Sequence, residues 1–272
     1  MDLTPASELS LRELSTLFAR SFEGYFVTIP DAPHLFDARV RSENISLAES
    51  RIARVDGEPV GLVLMARRGR VSRVAGMGIV PAHRHRRLGG AMLSPLLEEA
   101  RTRGDTRMVL EVIEQNTPAL KLYERLGFQR VRRLVGFSGT LAPEPATLEE
   151  VEPRECARLL PESLPWQLAP ATVAGLALPA RAFRLGPAVV VVADVSAPTL
   201  TLRSLAVEPE ARGKGAGRRL LRALAAAHPG KSLSVSAIVP EGPSEHFFLG
   251  AGLTYLSLSQ LELVNELPGR DR

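Results

Sequence analysis

The sequence predicts an α/β (α+β) fold of two tandem domains of similar design, each a mixed sheet flanked by helices. A proline-rich segment, Ala142–Pro145, separates two similar strand and helix patterns and predicts domains at 1–142 and 143–272. Each pattern has an apolar, strand-like run followed by a Leu/Ala-rich helical run. Between the two runs stands the pattern Arg-x-x-Gly-x-small, at Arg86, Gly89 and Ala91 and again at Arg212, Gly215 and Gly217.

The elements of the first domain follow from periodicity and turn residues. Ser10 is a candidate cap for the first helix, the turn Asp56-Gly57 predicts a hairpin, and Gly127 ends the last helix. The predicted helices are Leu11–Phe22, His34–Ile45, the run after the glycine motif, and Thr117–Leu126. The predicted strands are Ser50–Val55, Pro59–Ala66, Arg70–Val80, Met108–Ile113, and one or two within Phe128–Leu141.

The same order recurs in the second domain, with a thinner beginning. Prolines break its first helical segments, which are therefore expected to be short: Glu155–Leu160 and Ala171–Leu176. The predicted strands are Arg181–Leu185, Ala188–Val195, Leu200–Val207 and Ser232–Val239, with a helix after the glycine motif and a helix and a strand at the end.

Composition narrows the class of protein. A single cysteine, Cys156, allows no internal disulfide, and no run approaches about 18 apolar residues, so we expect a cytoplasmic protein without a membrane partner. The pI of about 9.7 comes almost entirely from arginine. Because no zinc spacing or aromatic-basic interleaving accompanies this charge, we expect neither nucleic-acid binding nor a bound metal. The basic stretch from Arg67 to Arg87 is either a solvated face or part of a polyphosphate site.

A strand, a glycine turn and a helix N-terminus together form a cradle for an anionic group. The free N–H groups and the positive end of the helix dipole point at the ligand. Glycine lets the backbone approach a pyrophosphate where a Cβ would collide. The alternative is that the glycines serve only the turn between strand and helix.

Both copies resemble the GNAT superfamily of acyl-CoA N-acyltransferases, arranged as a tandem pair. In the first copy the resemblance covers Gly78–Pro81, the glycine motif, Leu110–Val112, Asn116, Ala119, Leu122–Glu124 and Leu126–Phe128. The resemblance implies a sheet splayed in its middle with acetyl-CoA as co-substrate in the splay. The pantetheine would pair with the backbone of Ile79 and Val80. The pyrophosphate would bind the amides of Arg86, Arg87, Leu88, Gly89, Gly90 and Ala91; the neighbouring His85 belongs to the same cofactor-binding stretch, although its side chain and that of His83 are expected at the surface.

The chemistry of acetyl transfer asks for a base and an acid. An amine at pH 7 is mostly ammonium and must lose a proton before attack, and the departing thiolate must be protonated or stabilised. Glu111 in its apolar strand is the candidate base, because burial would raise its pKa; otherwise it is an outward carboxylate paired with an arginine. By resemblance Tyr123 is the general acid, the alternative being a packed core tyrosine. Asn116 caps the helix, contacts pantetheine, or does both, and Arg86 contacts phosphate or is a solvated loop residue.

The second copy has the glycine motif of the anion cradle but lacks the candidate acid and base. Aligning Gly252 with Gly127 places Phe248 opposite Tyr123, Ser236 opposite Glu111 and Glu241 opposite Asn116. Phenylalanine cannot donate a proton, so we expect a structural or acceptor-shaping role here. A candidate second CoA site remains at Arg212, Gly213, Lys214, Gly215, Ala216 and Gly217.

The acceptor is expected to be a small-molecule or peptide amine bound by a monomer or homodimer. By resemblance Phe22–Asp37 walls its site, with Glu23, Asp31 and Asp37 attracting an amine and Tyr25 and Phe26 forming an apolar wall. Two alternatives to an N-acetyltransferase are a non-catalytic acyl-CoA sensor and a mycothiol-synthase-like thiol-conjugate acetyltransferase. The pair Glu111 and Tyr123 argues against a sensor. In mycothiol synthase the C-terminal copy is the active one, so the degenerate second copy argues against that enzyme.

Overall fold

A computed structural model describes residues 1–267 as two compact units. Unit 1 comprises Met1–Val131 together with the segment that begins at Leu261, and unit 2 comprises Arg132–Gln260. The predicted ranges 1–142 and 143–272 divide the chain differently, because residues 132–142 group with unit 2 and the last strand groups with unit 1. That the first range is catalytic and the second degenerate stays a prediction.

Unit 1 is an α/β unit whose sheet has the strand order β1-β2-β3-β4-β5-β13. Its strands are β1 (Asp2–Pro5), β2 (Ile45–Val55), β3 (Glu58–Arg68), β4 (Val71–Ile79), β5 (Arg107–Ile113) and β13 (Gln260–Glu266). Its helices are α1 (Leu11–Ser21), α2 (Pro33–Ser42), α3 (Leu88–Arg103) and α4 (Thr117–Arg125). Strand β6 (Gln129–Gly139) begins in unit 1 and continues into unit 2.

Local sequence signals explain most of these elements. Ser10 and Glu13 form a capping box at the start of α1. The turn Asp56-Gly57 has positive φ at both residues, the geometry that a two-residue hairpin requires. Pro95 lies inside α3, as expected, on the exposed face.

The predicted boundary between the second helix and the hairpin was wrong, and some short strands were missed. The second helix was expected over His34–Ile45, but α2 ends at Ser42 and Ile45 already begins β2. Asn44, at positive φ, lies between the helix and the strand and accounts for the early stop. The short strand β1 and the strand β7 (Glu149–Val151) carry no clear alternation and were not predicted.

The sheet of unit 1 opens between its two central parallel strands. Strands β4 and β5 are paired in parallel only from Val71 with Arg107 to Val74 with Leu110. Strand β4 continues to Ile79 and remains paired with β3 along that length. Among the described residues, the other edge of β4 beyond Val74 therefore has no strand partner, which is the splay that the family resemblance implied.

Unit 2 repeats this plan with the strand order β6-β11-β10-β9-β8-β7, and β12 also pairs with β6. Its other strands are β8 (Arg181–Leu185), β9 (Ala188–Val192), β10 (Thr199–Val207), β11 (Ser232–Pro240) and β12 (Thr254–Tyr255). Its helices are α5 (Pro153–Ala157), α6 (Pro170–Ala174), α7 (Ala216–Ala227) and α8 (Pro243–Ala251). Parallel pairing of β10 with β11 stops at Leu202 and Val235, so this sheet opens as well.

No helix within residues 1–267 is both long and apolar enough to cross a membrane.

Candidate active site

The main cavity of unit 1 has a volume of about 810 Å³ and lies at the open part of the sheet. Its wall is built from the end of α1 and the following loop, the open segment of β4, the loop before α3 with the first residues of that helix, and α4. The residues that line the cavity include Ser21, Phe22, Tyr25, Phe26, Met77, Gly78, Ile79, Arg84, His85, Arg87, Leu88, Gly89, Gly90, Asn116, Leu122, Arg125 and Leu126. Of the predicted cofactor-binding residues, Val80, Arg86 and Ala91 do not line this cavity.

The loop before α3 is held in place by Arg84. Its Nε donates to the carbonyl oxygen of Ile79 at 2.9 Å, and its Nη2 donates to the carbonyl oxygens of Ser21 at 3.2 Å and Glu23 at 2.6 Å. One guanidinium thus ties the end of β4 to the loop after α1. Within the loop, His85 and Arg87 adopt positive φ angles of 63° and 60°, and Arg87 caps α3.

The loop of unit 2 has the same construction and corrects the predicted register of the repeat. Arg212 donates through Nε to the carbonyl oxygen of Val207 at 3.0 Å, as Arg84 does to Ile79. Gly213 and Gly215 have φ angles of 73° and 83°, and Gly215 caps α7. The structural counterpart of Arg212 is therefore Arg84 and not Arg86. The sequence pattern was shifted by two residues because it matched glycine to glycine, whereas unit 1 uses histidine and arginine at the left-handed positions.

This register also identifies the glycine that α3 and α7 each need for close packing against a neighbouring helix. A Cβ on Gly89 would lie 2.8 Å from Leu122 of α4, and a Cβ on Gly217 would lie 2.9 Å from Phe247 of α8. Each helix that starts at the loop therefore packs closely against the helix that follows the next strand. Leu122 and Phe247 are counterparts, and their neighbours Tyr123 and Phe248 are counterparts, as the sequence predicted.

The backbone at the end of β4 is partly engaged already. The N–H of Val80 donates to the carbonyl oxygen of Val60 at 2.9 Å, and the Val80 carbonyl accepts from the N–H of His83 at 3.0 Å. A pantetheine arm would therefore find no free N–H on Val80. The unpaired edge of β4 between residues 75 and 79 is the part that fits an extended chain.

Tyr123 is almost fully buried in the last turn of α4 and does not itself line the cavity. Its ring packs edge-on against Phe128, with a centroid distance of 5.8 Å, so it is also the core tyrosine that the alternative described. Its hydroxyl makes no hydrogen bond with another residue in the described part of the chain. Burial, with a smaller contribution from Tyr25, raises the pKa of Tyr123 well above its ordinary value. The group therefore holds its proton throughout the physiological range, which a general acid requires.

Glu111 belongs to a buried ion cluster and does not line the cavity. Arg73, with 1% of its side chain exposed, contacts Glu111 at 2.7 Å and Glu43 at 2.6 Å. Burial raises the pKa of Glu111, Arg73 opposes that shift, and the carboxylates of Glu262 and Glu43 add to it. The ion pair with Arg73 matches the alternative predicted for Glu111, a carboxylate paired with an arginine. The carboxylate points inward, however, and not outward as that alternative expected. Its Oε1 atom is buried and has no hydrogen-bond partner among the described residues.

Asn116 caps α4, since its Oδ1 accepts from the N–H of Ala119 at 3.3 Å. Tyr25 lines the same cavity and reaches this cap. Burial raises the pKa of Tyr25, and hydrogen bonding with the Asn116 side chain and the Ile113 backbone opposes that shift. A contact of Asn116 with pantetheine stays a prediction.

Asn265 on β13 is a site residue that the sequence analysis missed. Its Nδ2 donates to the carbonyl oxygen of Leu126 at 2.7 Å, and the same atom lies 3.1 Å from where a Cβ on Gly127 would stand. Asn265 therefore fixes the end of the helix that carries Tyr123. A polar residue among the apolar residues of β13 indicates a buried hydrogen-bond partner. Nothing in the local sequence indicates that this partner is the end of α4.

Unit 2 has its own cavity of about 660 Å³ at the corresponding loop. Arg212, Gly213, Gly215, Ala216 and Gly217 line it, and the wall includes Phe248. The side chains at the positions of Glu111 and Tyr123 are those of Ser236 and Phe248, so unit 2 has the loop without a carboxylate or a tyrosine at these two positions.

In each unit a helix begins at a loop with positive φ angles beside an opened sheet. The acetyltransferase (GNAT) family model matches residues 11–128 and 168–250, well over half of the chain. The chain therefore belongs to the GNAT acetyltransferase family and is an enzyme of the acyltransferase class. The co-substrate of this family is acetyl-CoA.

Solved structures show the same fold over the whole chain. A tandem GNAT protein of the clavulanic acid biosynthesis pathway is 16% identical, with a TM-score of 0.67 over 99% of this chain and 100% of that one. A GCN5-related N-acetyltransferase of Sphaerobacter thermophilus is 16% identical, with a TM-score of 0.64 over 96% and 94%. A candidate acetyltransferase of Pyrococcus horikoshii is 14% identical, with a TM-score of 0.70 over 100% and 91%. The predicted tandem GNAT fold is thereby confirmed.

Proposed function

We propose that unit 1 transfers an acetyl group from acetyl-CoA to a primary amine by direct attack. The observation that carries this proposal is one cavity joining the open edge of β4 to the loop at the start of α3. An extended pantetheine arm fits an unpaired strand edge, and a pyrophosphate fits the N–H groups and dipole at the helix N-terminus. The basic side chains of His85 and Arg87 on the same wall favour that anion.

Tyr123 is the proposed general acid. Its hydroxyl stays protonated because its surroundings are apolar, and no other side chain within residues 1–267 competes for that proton. Acetyl-CoA supplies the thioester, and the tyrosine would give its proton to the departing sulfur. A proton-transfer group of this kind contributes about 10²–10⁴-fold to the rate.

Glu111 is the proposed base, acting through water because the carboxylate is set back from the cavity wall. Its Oε1 is a buried acceptor without a protein partner, at the point where β4 and β5 separate. Arg73 holds the other oxygen and fixes the orientation of the carboxylate. The raised pKa brings the group closer to the pH at which it must exchange a proton.

For the remainder of the protein we propose a supporting role. Unit 2 shapes or stabilises the enzyme, since Phe248 replaces the acid. We also propose a cytoplasmic protein that acts as a monomer or homodimer on a small-molecule or peptide amine, without nucleic-acid or membrane partners.

The test is an acetyl-CoA turnover screen against a panel of primary amines, with CoA release and product mass measured together. We expect CoA release that depends on an amine, and a product heavier by one acetyl group. Acetyl-CoA binding by calorimetry without turnover on any amine would contradict the proposal and favour the sensor.

A further inference from the structure

We propose that the acceptor is a monoamine whose amino group is carried on an aromatic or other apolar body, and that Phe22, Tyr25 and Phe26 bind that body. This inference rests on the proposed acetyltransferase function of unit 1. It concerns the end of the cavity that these three rings line.

Three aromatic side chains form a continuous wall at that end. The ring centroids of Phe22 and Tyr25 are 5.1 Å apart, and those of Tyr25 and Phe26 are 5.2 Å apart, both in edge-to-face arrangements. All three rings line the cavity. Phe26 is 45% exposed and forms the rim. A wall of this kind gains most from covering another apolar or aromatic surface.

The aromatic wall lies against the reacting part of the cavity. A Cβ on Gly78 of β4 would lie 2.8 Å from both Phe22 and Ser21, so the wall packs directly on the open segment of that strand. Ser21 lines the cavity there and is 3% exposed, and its buried Oγ has no hydrogen-bond partner within residues 1–267.

The charges on the cavity wall are all of one sign. Arg84, Arg87 and Arg125 line it, whereas the lining residues within the described chain include no aspartate or glutamate. An acceptor with several cationic groups would lose water on entering and would meet only like charge. A single amine that enters neutral avoids that cost, and its apolar body faces the rings.

Two of the three carboxylates that the sequence offered for binding a cation, those of Asp31 and Asp37, are engaged elsewhere. Asp31 accepts hydrogen bonds at 2.8 Å from both Ser15 and Thr16, and Asp37 is paired with Arg41 on α2. Glu23 meets Arg84 through its backbone carbonyl. None of these three acidic residues lines the cavity, so the predicted acidic attraction is replaced by an aromatic wall.

The experiment compares kcat/KM for 2-phenylethylamine with that for 1,4-diaminobutane and spermidine, on the full chain with saturating acetyl-CoA. We expect a preference of at least about tenfold for 2-phenylethylamine. Phe26→Ala should raise the KM for 2-phenylethylamine about fivefold or more and leave the KM for acetyl-CoA unchanged. Phe26→Asp should move the ratio of the two specificities towards 1,4-diaminobutane, a readout that partial loss of folded enzyme does not affect.

Val131→Ala is the matched control, because Val131 is also an exposed apolar residue of unit 1 and does not line the cavity. It should change neither KM. Equal or better turnover of the diamine or spermidine by the wild type would overturn the acceptor assignment and leave the acetyltransferase proposal standing. Absence of turnover on every amine would overturn both.

Discussion

Replacing Arg73 by methionine should destabilise the protein by about 3–5 kcal/mol, the usual result of removing one partner from a buried ion pair. Arg73 is 1% exposed and contacts Glu43 at 2.6 Å and Glu111 at 2.7 Å. Without the guanidinium, two carboxylates remain in the interior near a third, that of Glu262. At about 2–4 °C for each kcal/mol, the melting temperature should fall by about 6–20 °C.

The pH dependence of this variant has a definite sign. Arg73 opposes the raised pKa of Glu111, so its removal raises that pKa further in the folded state. A raised folded-state pKa means that the folded protein binds more protons than the unfolded chain. The contribution of Glu111 to the stability of Arg73→Met should therefore be greatest below about pH 4.3 and decline as the pH rises through its folded-state pKa.

Urea unfolding followed by circular dichroism measures both effects, with an unchanged m-value as the condition for comparing free energies. The matched variant is Arg73→Met combined with Glu43→Leu and Glu111→Leu, which removes the whole cluster. It should recover most of the lost stability, because apolar replacement of a complete buried cluster is often neutral or stabilising. A loss below about 1 kcal/mol in the single variant would refute the reasoning, since that is the range of exposed ion pairs. A triple variant no better than the single one would refute it equally.

Three further predictions follow from the site. Tyr123→Phe should lower kcat at least about tenfold with little change in the KM for acetyl-CoA, measured by CoA release; wild-type turnover would remove Tyr123 from the mechanism. Gly89→Trp should abolish strong acetyl-CoA binding in calorimetry, whereas the matched Gly217→Trp should leave one strong site. Two equal sites in the wild type would contradict the proposed supporting role of unit 2. Asn265→Ala should lower kcat more than it raises the KM for acetyl-CoA, because it frees the end of α4 from its 2.7 Å bond to β13; an unchanged kcat would show that the helix needs no such support.

Local signals account for what the sequence predicted well. The Asp56-Gly57 hairpin, the Ser10 cap and the Asn116 cap each depend on residues within a few positions of one another. The equivalence of Tyr123 and Phe248 followed from the fixed spacing to Gly127 and Gly252, and the packing of Leu122 and Phe247 bears it out.

The predictions that failed or were missed depend on geometry that one-dimensional spacing does not carry. The repeat was aligned on glycines, but His85 and Arg87 take the left-handed positions that Gly213 and Gly215 take in unit 2. The orientation of Glu111 depends on Arg73 in the neighbouring strand, and their pairing is a matter of register. The role of Asn265 depends on the pairing of β13 with β5, and these two strands are more than a hundred residues apart in sequence.

The position of β13 beside β5 has a consequence for how the protein is made. During synthesis the sheet of unit 1 lacks a strand until residues 261–267 have left the ribosome, although its other strands are complete more than a hundred residues earlier. Contacts between such distant segments close slowly, and the exposed edge of β5 is open to wrong partners in the meantime. The proposed catalytic helix thus receives its final support from the last described strand, so a nascent chain has no finished active site.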